Sequence, residues 1–200
     1  MASAIPSPRR RPDGHGPAGP VDPVRRWYEE GLGWATVPGP PVRLVTGVRF
    51  DVLDVPAEAG VAALRHLGPA SPVALRGDRM RLLVAEGSAA ELPGLLDWLE
   101  WGALALDLTA IGAGGRTEAP LPPGAARGEP RPAGPFAPQG AAVWLRPPEP
   151  GCEVEPSLPT LSAVGGGGGA PDLVRLVDTV ATQCHRVRLR RACAQPLAFS

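Results

Sequence analysis

The run Val48-Arg49-Phe50-Asp51-Val52-Leu53-Asp54-Val55-Pro56 constrains this chain more than any other stretch. Val48, Phe50, Val52 and Leu53 are β-formers, dense enough for a central strand covered on both faces. Asp54 comes at the end of that strand, where α/β folds tend to place their chemistry. Pro56 has no N–H to give to a ladder and stops the strand. A helix is expected over residues 57–67, then strands over 72–75 and 80–85. The remainder packs around this unit or hangs from it.

The punctuation of the chain sets its boundaries. Residues 1–21 are Pro, Gly, Arg and Ser with little to bury, and predict a disordered tail. Asp22-Pro23 is a helix start, with Asp as N-cap and Pro at the first helical position. That helix runs to Gly31 and puts Val24, Trp27, Tyr28 and Leu32 near one face. Short strands are expected over 34–37 and 42–45, and Arg76-Gly77-Asp78-Arg79 reads as a hairpin turn. The helix after Pro56 presents Val61, Ala62, Ala63, Leu64 and Leu67 as its apolar face. Ser88 and Glu91 have capping-box spacing, and a helix over 88–101 follows, with Trp98 and Trp101 sealing it against the sheet. Strands are expected over 104–111, 116–119 and 141–145, separated by a turn at 112–115 and a Pro-rich loop over 120–139. Gly165–Gly169 lacks any phosphate-loop motif and reads as a linker spanning 160–170. A C-terminal helix over 171–191 carries Leu173, Leu176, Val177, Val180, Cys184 and Val187 at helical spacing, with a short tail over 192–200. Its end is basic through Arg186, Arg188, Arg190 and Arg191, which suits the negative end of the helix dipole and also an acidic partner. These elements predict an α+β fold, a mixed central sheet flanked by helices, in one domain over 22–159.

Composition narrows the function classes. All 20 basic residues are Arg, balanced by 20 acids. Absence of Lys and Asn, with abundant Gly, Pro and Ala, fits a high-GC genome of the actinobacterial kind. Zero net charge counts against a dedicated nucleic-acid binder, which usually carries a basic excess, although it leaves room for a local basic patch. Cys152, Cys184 and Cys193 match no zinc spacing and read as reduced thiols. Arg9-Arg10-Arg11 is followed by Pro, Asp and Gly rather than an apolar stretch, and no run approaches the length of a membrane span. A cytoplasmic protein without a membrane partner is expected. No nucleophile elbow, zinc-protease motif, Walker motif or Cys–His pair occurs.

The order Trp27-Tyr28, Gly33-Trp34, Thr46-Gly47, Val52-Leu53-Asp54-Val55, Gly60, Leu64, Arg81-Leu82-Leu83-Val84, Gly114-Gly115-Arg116 and Ala119-Pro120 resembles the N-terminal domain of bifunctional DNA primase/polymerase proteins, in the archaeo-eukaryotic primase superfamily. The resemblance covers residues 24–147. It implies a primase/polymerase-like fold and a role in DNA replication. Asp54 matches the first metal-binding carboxylate, and Asp107 stands for the third. Pro56 occupies the place of the second, and Arg81 the place of the family's phosphate-handling histidine. Two-metal nucleotidyl transfer needs clustered carboxylates, so the resemblance implies a degenerate centre. Asp54 and Asp107 remain as residual catalytic or metal-binding residues, with Arg81 and Arg116 as nucleotide-binding residues. No cofactor is expected, and Mg or Mn enters only if the chain is active. The first functional expectation is a non-catalytic protein that binds nucleic acid or nucleotide. The alternatives are a protein-interaction module that presents its C-terminal helix or Pro-rich loop, and an active primase/polymerase.

Overall fold

The computed structural model describes residues 22–125, 141–161 and 170–193. The expected tail over 1–21, the loop from 126 onward, the glycine run Gly165–Gly169 and the end of the C-terminal tail lie outside the described residues. Helix α1 (Pro23–Arg26) continues as a wider π turn over Trp27–Gly31. Strands β1 (Thr36–Val37), β2 (Arg43–Val45) and β3 (Asp51–Pro56) follow, then helix α2 (Ala57–Ala63) with a closing 3-10 turn at Leu64–His66. Strands β4 (Val73–Arg76) and β5 (Arg79–Val84) precede helix α3 (Ser88–Trp98). Strands β6 (Thr109–Ile111), β7 (Arg116–Glu118) and β8 (Val143–Arg146) lead to helix α4 (Leu173–Cys193).

The fold is α+β, as expected. Its strands divide between a three-stranded sheet in the order β1-β2-β7 and a five-stranded sheet in the order β6-β3-β5-β4-β8. Every pairing between these strands is antiparallel, in place of the mixed central sheet. The reason is the two-residue Gly77-Asp78 turn, with Gly77 at a φ of 58°. It folds β5 back between β3 and β4, so those two strands run parallel to each other but never touch.

The central strand starts three residues later than the sequence suggests. Val48 lies in the turn after Gly47 and is exposed, and the ladder runs through Pro56, which sits opposite Arg79. Pro56 is tolerated because β6 reaches only Val52, Leu53 and Asp54 on the other side of β3. The N–H that proline lacks therefore has no ladder to serve.

Alternation along β3 and β5 separates two cores. Leu53, Val55, Met80, Leu82 and Val84 face α2, α3 and α4, together with the buried stripe Leu173, Leu176, Val177, Val180 and Cys184 of α4. Val52 and Leu83 face the other way, against Leu44, Phe50, Tyr28, Trp34 and Leu158. In that second core the Tyr28 hydroxyl donates to the Pro120 carbonyl at 2.6 Å and accepts from Trp144 Nε1 at 3.0 Å. Burial raises the Tyr28 pKa, and the Trp144 hydrogen bond opposes that only in part.

Several helix details differ from their sequence reading. The buried face of α2 is Ala59, Gly60 and Ala63, while Val61 is exposed. Small residues win because α2 lies directly on β5, where even a Cβ on Gly60 would meet the Met80 side chain. Helix α3 ends at Trp98, and Ser88 supplies no capping-box bond. Its Ala89 N–H is taken instead by Asp51 Oδ2, from β3, at 2.9 Å. Asp51 is nearly inaccessible, and its other oxygen has no partner. Trp98 does not seal the sheet, being 72% exposed, whereas Trp101 donates to Asp178 of α4 at 3.1 Å and lies against His185. Only residues 109–111 of the expected 104–111 strand are extended in a ladder. Thr160 pairs with Asp172, so the two ends of the expected linker are held together.

His66 ties the end of α2 to α4. Its Nε2 lies 2.8 Å from Thr179 Oγ1 and accepts from Arg65 Nε at 3.0 Å. Arginine only donates, so Nε2 is the acceptor and the ring is neutral. Burial, then the charges of Arg65 and Arg175, lower the His66 pKa against the opposing pull of Asp172 and Asp178. An unfolded histidine titrates near 6.5. The unfolded chain therefore takes up this proton before the folded one does. The contribution of neutral His66 is full above about pH 6.5 and is lost as pH falls through the folded value. The urea midpoint is expected to drop more between about pH 7.5 and pH 5 in the native chain than in His66→Gln, which keeps an acceptor but cannot charge. Parallel curves for the two chains would show that His66 carries none of that dependence.

Candidate functional site

Antiparallel register brings the expected residues together. Asp54 on β3 lies directly opposite Arg81 on β5, and Arg79 is the diagonal neighbour two residues away. Residues of one strand two apart share a face, so Arg79 and Arg81 both stand on the face that carries Asp54. Arg79 Nε donates to Asp54 Oδ1 at 2.6 Å, and Arg81 Nε donates to Asp54 Oδ2 at 3.0 Å. Arg79 also donates through Nη2 to the Asp54 carbonyl at 2.9 Å and through Nη1 to Asp107 Oδ1 at 2.6 Å.

The contacts continue in both directions. Arg81 Nη1 reaches the Glu118 carbonyl on β7 at 3.4 Å, and the Glu118 carboxylate meets Arg76 of β4 at 2.8 Å. On the far side, Arg191 of α4 stands 3.7 Å from Asp107. One chain of ionic and polar contacts thus runs from Arg76 through Glu118, Arg81, Asp54, Arg79 and Asp107 to Arg191. It contains four guanidiniums and three carboxylates. Arg81 and Asp54 are largely withdrawn from water, while Asp107 is about half exposed. Burial opposes the charge of Arg79, but its bonds to Asp54 and Asp107 outweigh that and raise its pKa.

Asp54 thus contacts Arg81 directly and is joined to Asp107 through Arg79. Arg116 does not join them. It stands on β7 opposite Val45, exposed, and makes no ion pair among the described residues. Arg79 is the residue that sequence reasoning passed over, because it read as the flank of a turn. The available signal was the Arg-x-Arg alternation, which puts two guanidiniums on one face of a strand adjacent to an acidic one.

The arrangement does not fit the divalent ions that the primase/polymerase resemblance implies for active members. Both carboxylate oxygens of Asp54 are engaged by guanidiniums, and Asp107 Oδ1 by a third contact of the same Arg79. A cation at Asp54 would stand beside two positive charges. Asp51 cannot rebuild the site, since it is on the opposite face of β3 and caps α3. Among the described residues, no group of three His, Cys, Asp or Glu side chains is placed to hold a metal.

The glycine motifs serve the fold nearby. Thr46 Oγ1 donates to the Gly112 carbonyl at 2.6 Å, and Thr46 N–H to the Gly115 carbonyl at 3.2 Å. Gly47, at a φ of 75°, lies against the backbone of Ala113. The Thr46-Gly47 and Gly112–Gly115 turns thus lock together, binding the small sheet to the large one. Comparison of this chain with models of known families, with curated proteins and with solved structures finds no match.

Proposed function

We propose that this chain is a non-catalytic, primase/polymerase-like protein that binds nucleic acid or nucleotide through the arginine-rich surface around Asp54, Arg79 and the basic end of α4. The observation that carries this reading is the double occupation of Asp54. Each of its oxygens is held by a guanidinium, in the place where the resemblance calls for a metal-binding carboxylate. The family's degenerate positions fit the same picture, with Arg81 paired to Asp54 and Pro56 beside Arg79.

Anion binding is supported by local charge. The contact chain from Arg76 to Arg191 has one guanidinium more than it has carboxylates. Arg188 adds to it on the last turns of α4, while the charge of Arg190 is met by Glu58. A neutral protein can carry such a patch, and phosphate attraction is a local effect screened over about 8–10 Å. The protein-interaction alternative has less to use, because the apolar stripe of α4 is already buried on the domain. No helix among the described residues is long and apolar enough to cross a membrane.

A labelled single-stranded oligonucleotide titrated into the full chain tests the reading. Binding is expected without added metal, and weaker as salt rises. Incorporation of labelled nucleotides on a primed template is expected to stay at background with manganese present. Metal-dependent incorporation, or oligonucleotide binding indifferent to salt, would overturn the proposal.

A further inference from the structure

A cleft of about 320 Å³ opens between the C-terminal half of α4 and the segment before β6. It lies at the lower end of the size range of small-molecule sites. Cys184, Val187, Arg188 and Arg191 line its helical side, at i, i+3, i+4 and i+7, so they form one continuous stripe. Leu106 and Asp107 line the other side.

The floor is apolar and neutral. Cys184 Sγ donates to the Asp107 carbonyl at 3.5 Å, and burial, helped by the Asp107 charge, pushes its thiol up to about 11. The rim is cationic, with donors to spare. Arg188 Nη1 donates to the Ala105 carbonyl at 2.7 Å, which uses one of its five N–H groups. Arg191 lies 3.7 Å from Asp107, too far for a hydrogen bond. The Asp107 carboxylate is already neutralised by Arg79 at 2.6 Å. The helix C-terminus disfavours an anion, and Arg191 lies within its last turn, where that field acts. Guanidinium–phosphate hydrogen bonds at the side-chain ends are stronger and directional.

Resting on the binding function proposed above, we infer that this cleft is a site for a phosphate monoester with a compact ring body, of mononucleotide size. Arg188 and Arg191 take the phosphate, and Leu106, Cys184 and Val187 take the ring. The cleft is separate from the Asp54–Arg81 pair, and Asp107 is the point where the two meet.

Calorimetric titration of the full chain with adenosine monophosphate, inorganic phosphate and adenosine tests the site. The monophosphate is expected to bind more tightly than either part. In Arg188→Gln/Arg191→Gln its affinity is expected to fall about tenfold or more, since two charge-assisted contacts are lost. Val187→Trp is a second probe that fills the floor and keeps both arginines. It is expected to block the monophosphate. Adenosine binding as well as its monophosphate, or a monophosphate affinity unchanged in both variants, would overturn the cleft. If the oligonucleotide alone still binds, the wider reading stands without the cleft. If the monophosphate binds through these arginines and the oligonucleotide does not, the cleft stands without the wider reading.

Discussion

Replacing Asp54 with alanine is expected to cost the fold about 3 kcal/mol, the range for breaking one side of a buried ion pair. The substitution leaves Arg81, only 8% exposed, without its carboxylate and beside Arg79, which keeps Asp107 alone. At roughly 2–4 °C per kcal/mol for a chain of this size, the midpoint of thermal unfolding should fall by about 6–12 °C. The triple change Asp54→Ala/Arg79→Met/Arg81→Met is expected to recover much of the loss, because no unpaired buried charge remains on the sheet and the methionines keep apolar volume; Asp107, which loses Arg79, is half exposed and keeps Arg191 at 3.7 Å. Urea denaturation of the three chains measures both effects. A carboxylate held for metal binding among other carboxylates behaves in the opposite way: its removal relieves repulsion and leaves stability equal or higher. A stabilised Asp54→Ala chain would therefore return Asp54 to the candidates for catalysis.

The second large effect is at Gly47. Its φ of 75° is left-handed, and a Cβ there would fall inside the backbone of Ala113 and 2.8 Å from the Ala113 side chain. Backbone strain of about 1–3 kcal/mol adds to an overpacking cost of about 1–3 kcal/mol, so Gly47→Ala is expected to cost about 4 kcal/mol. Gly77→Ala is the control. Gly77 also has positive φ, at 58°, but nothing lies within 4 Å of an added Cβ. It should lose only the conformational part, about 1 kcal/mol. Equal losses at the two sites would mean that the lock between the Thr46-Gly47 and Gly112–Gly115 turns yields easily. Chemical denaturation with a common slope is the appropriate readout.

These two sites show why the motifs of the resemblance were easier to see than to interpret. Thr46, Gly47, Gly114 and Gly115 stand out in the sequence as turn residues. Their joint purpose is the contact between two turns more than 60 residues apart, with Thr46 bonded to the carbonyls of Gly112 and Gly115. Asp54 was visible as a polar residue in an apolar strand. Its partners were also visible as residues, but their roles depended on which strand lies next to β3. Arg79 became the centre of the site only when β5 folded between β3 and β4.

Local signals decided what depends on neighbours in sequence. Asp22 and Pro23 start α1, with Asp22 accepting from Val24 at 2.9 Å. Gly77-Asp78 closes the β4–β5 hairpin, and the apolar stripe of α4 docks as its spacing requires. Each rests on a cap, a turn geometry or a 3.6-residue period, which a short window contains in full. Tertiary structure decided the rest. It started β3 at Asp51, spent that carboxylate on the first turn of α3, turned the small face of α2 inward and left Trp98 in solvent. It also joined Asp54, Arg79, Arg81 and Asp107. Strand register, close approach of backbones and the pairing of buried charges are set by residues distant in sequence, whose contacts exist only once the chain has folded.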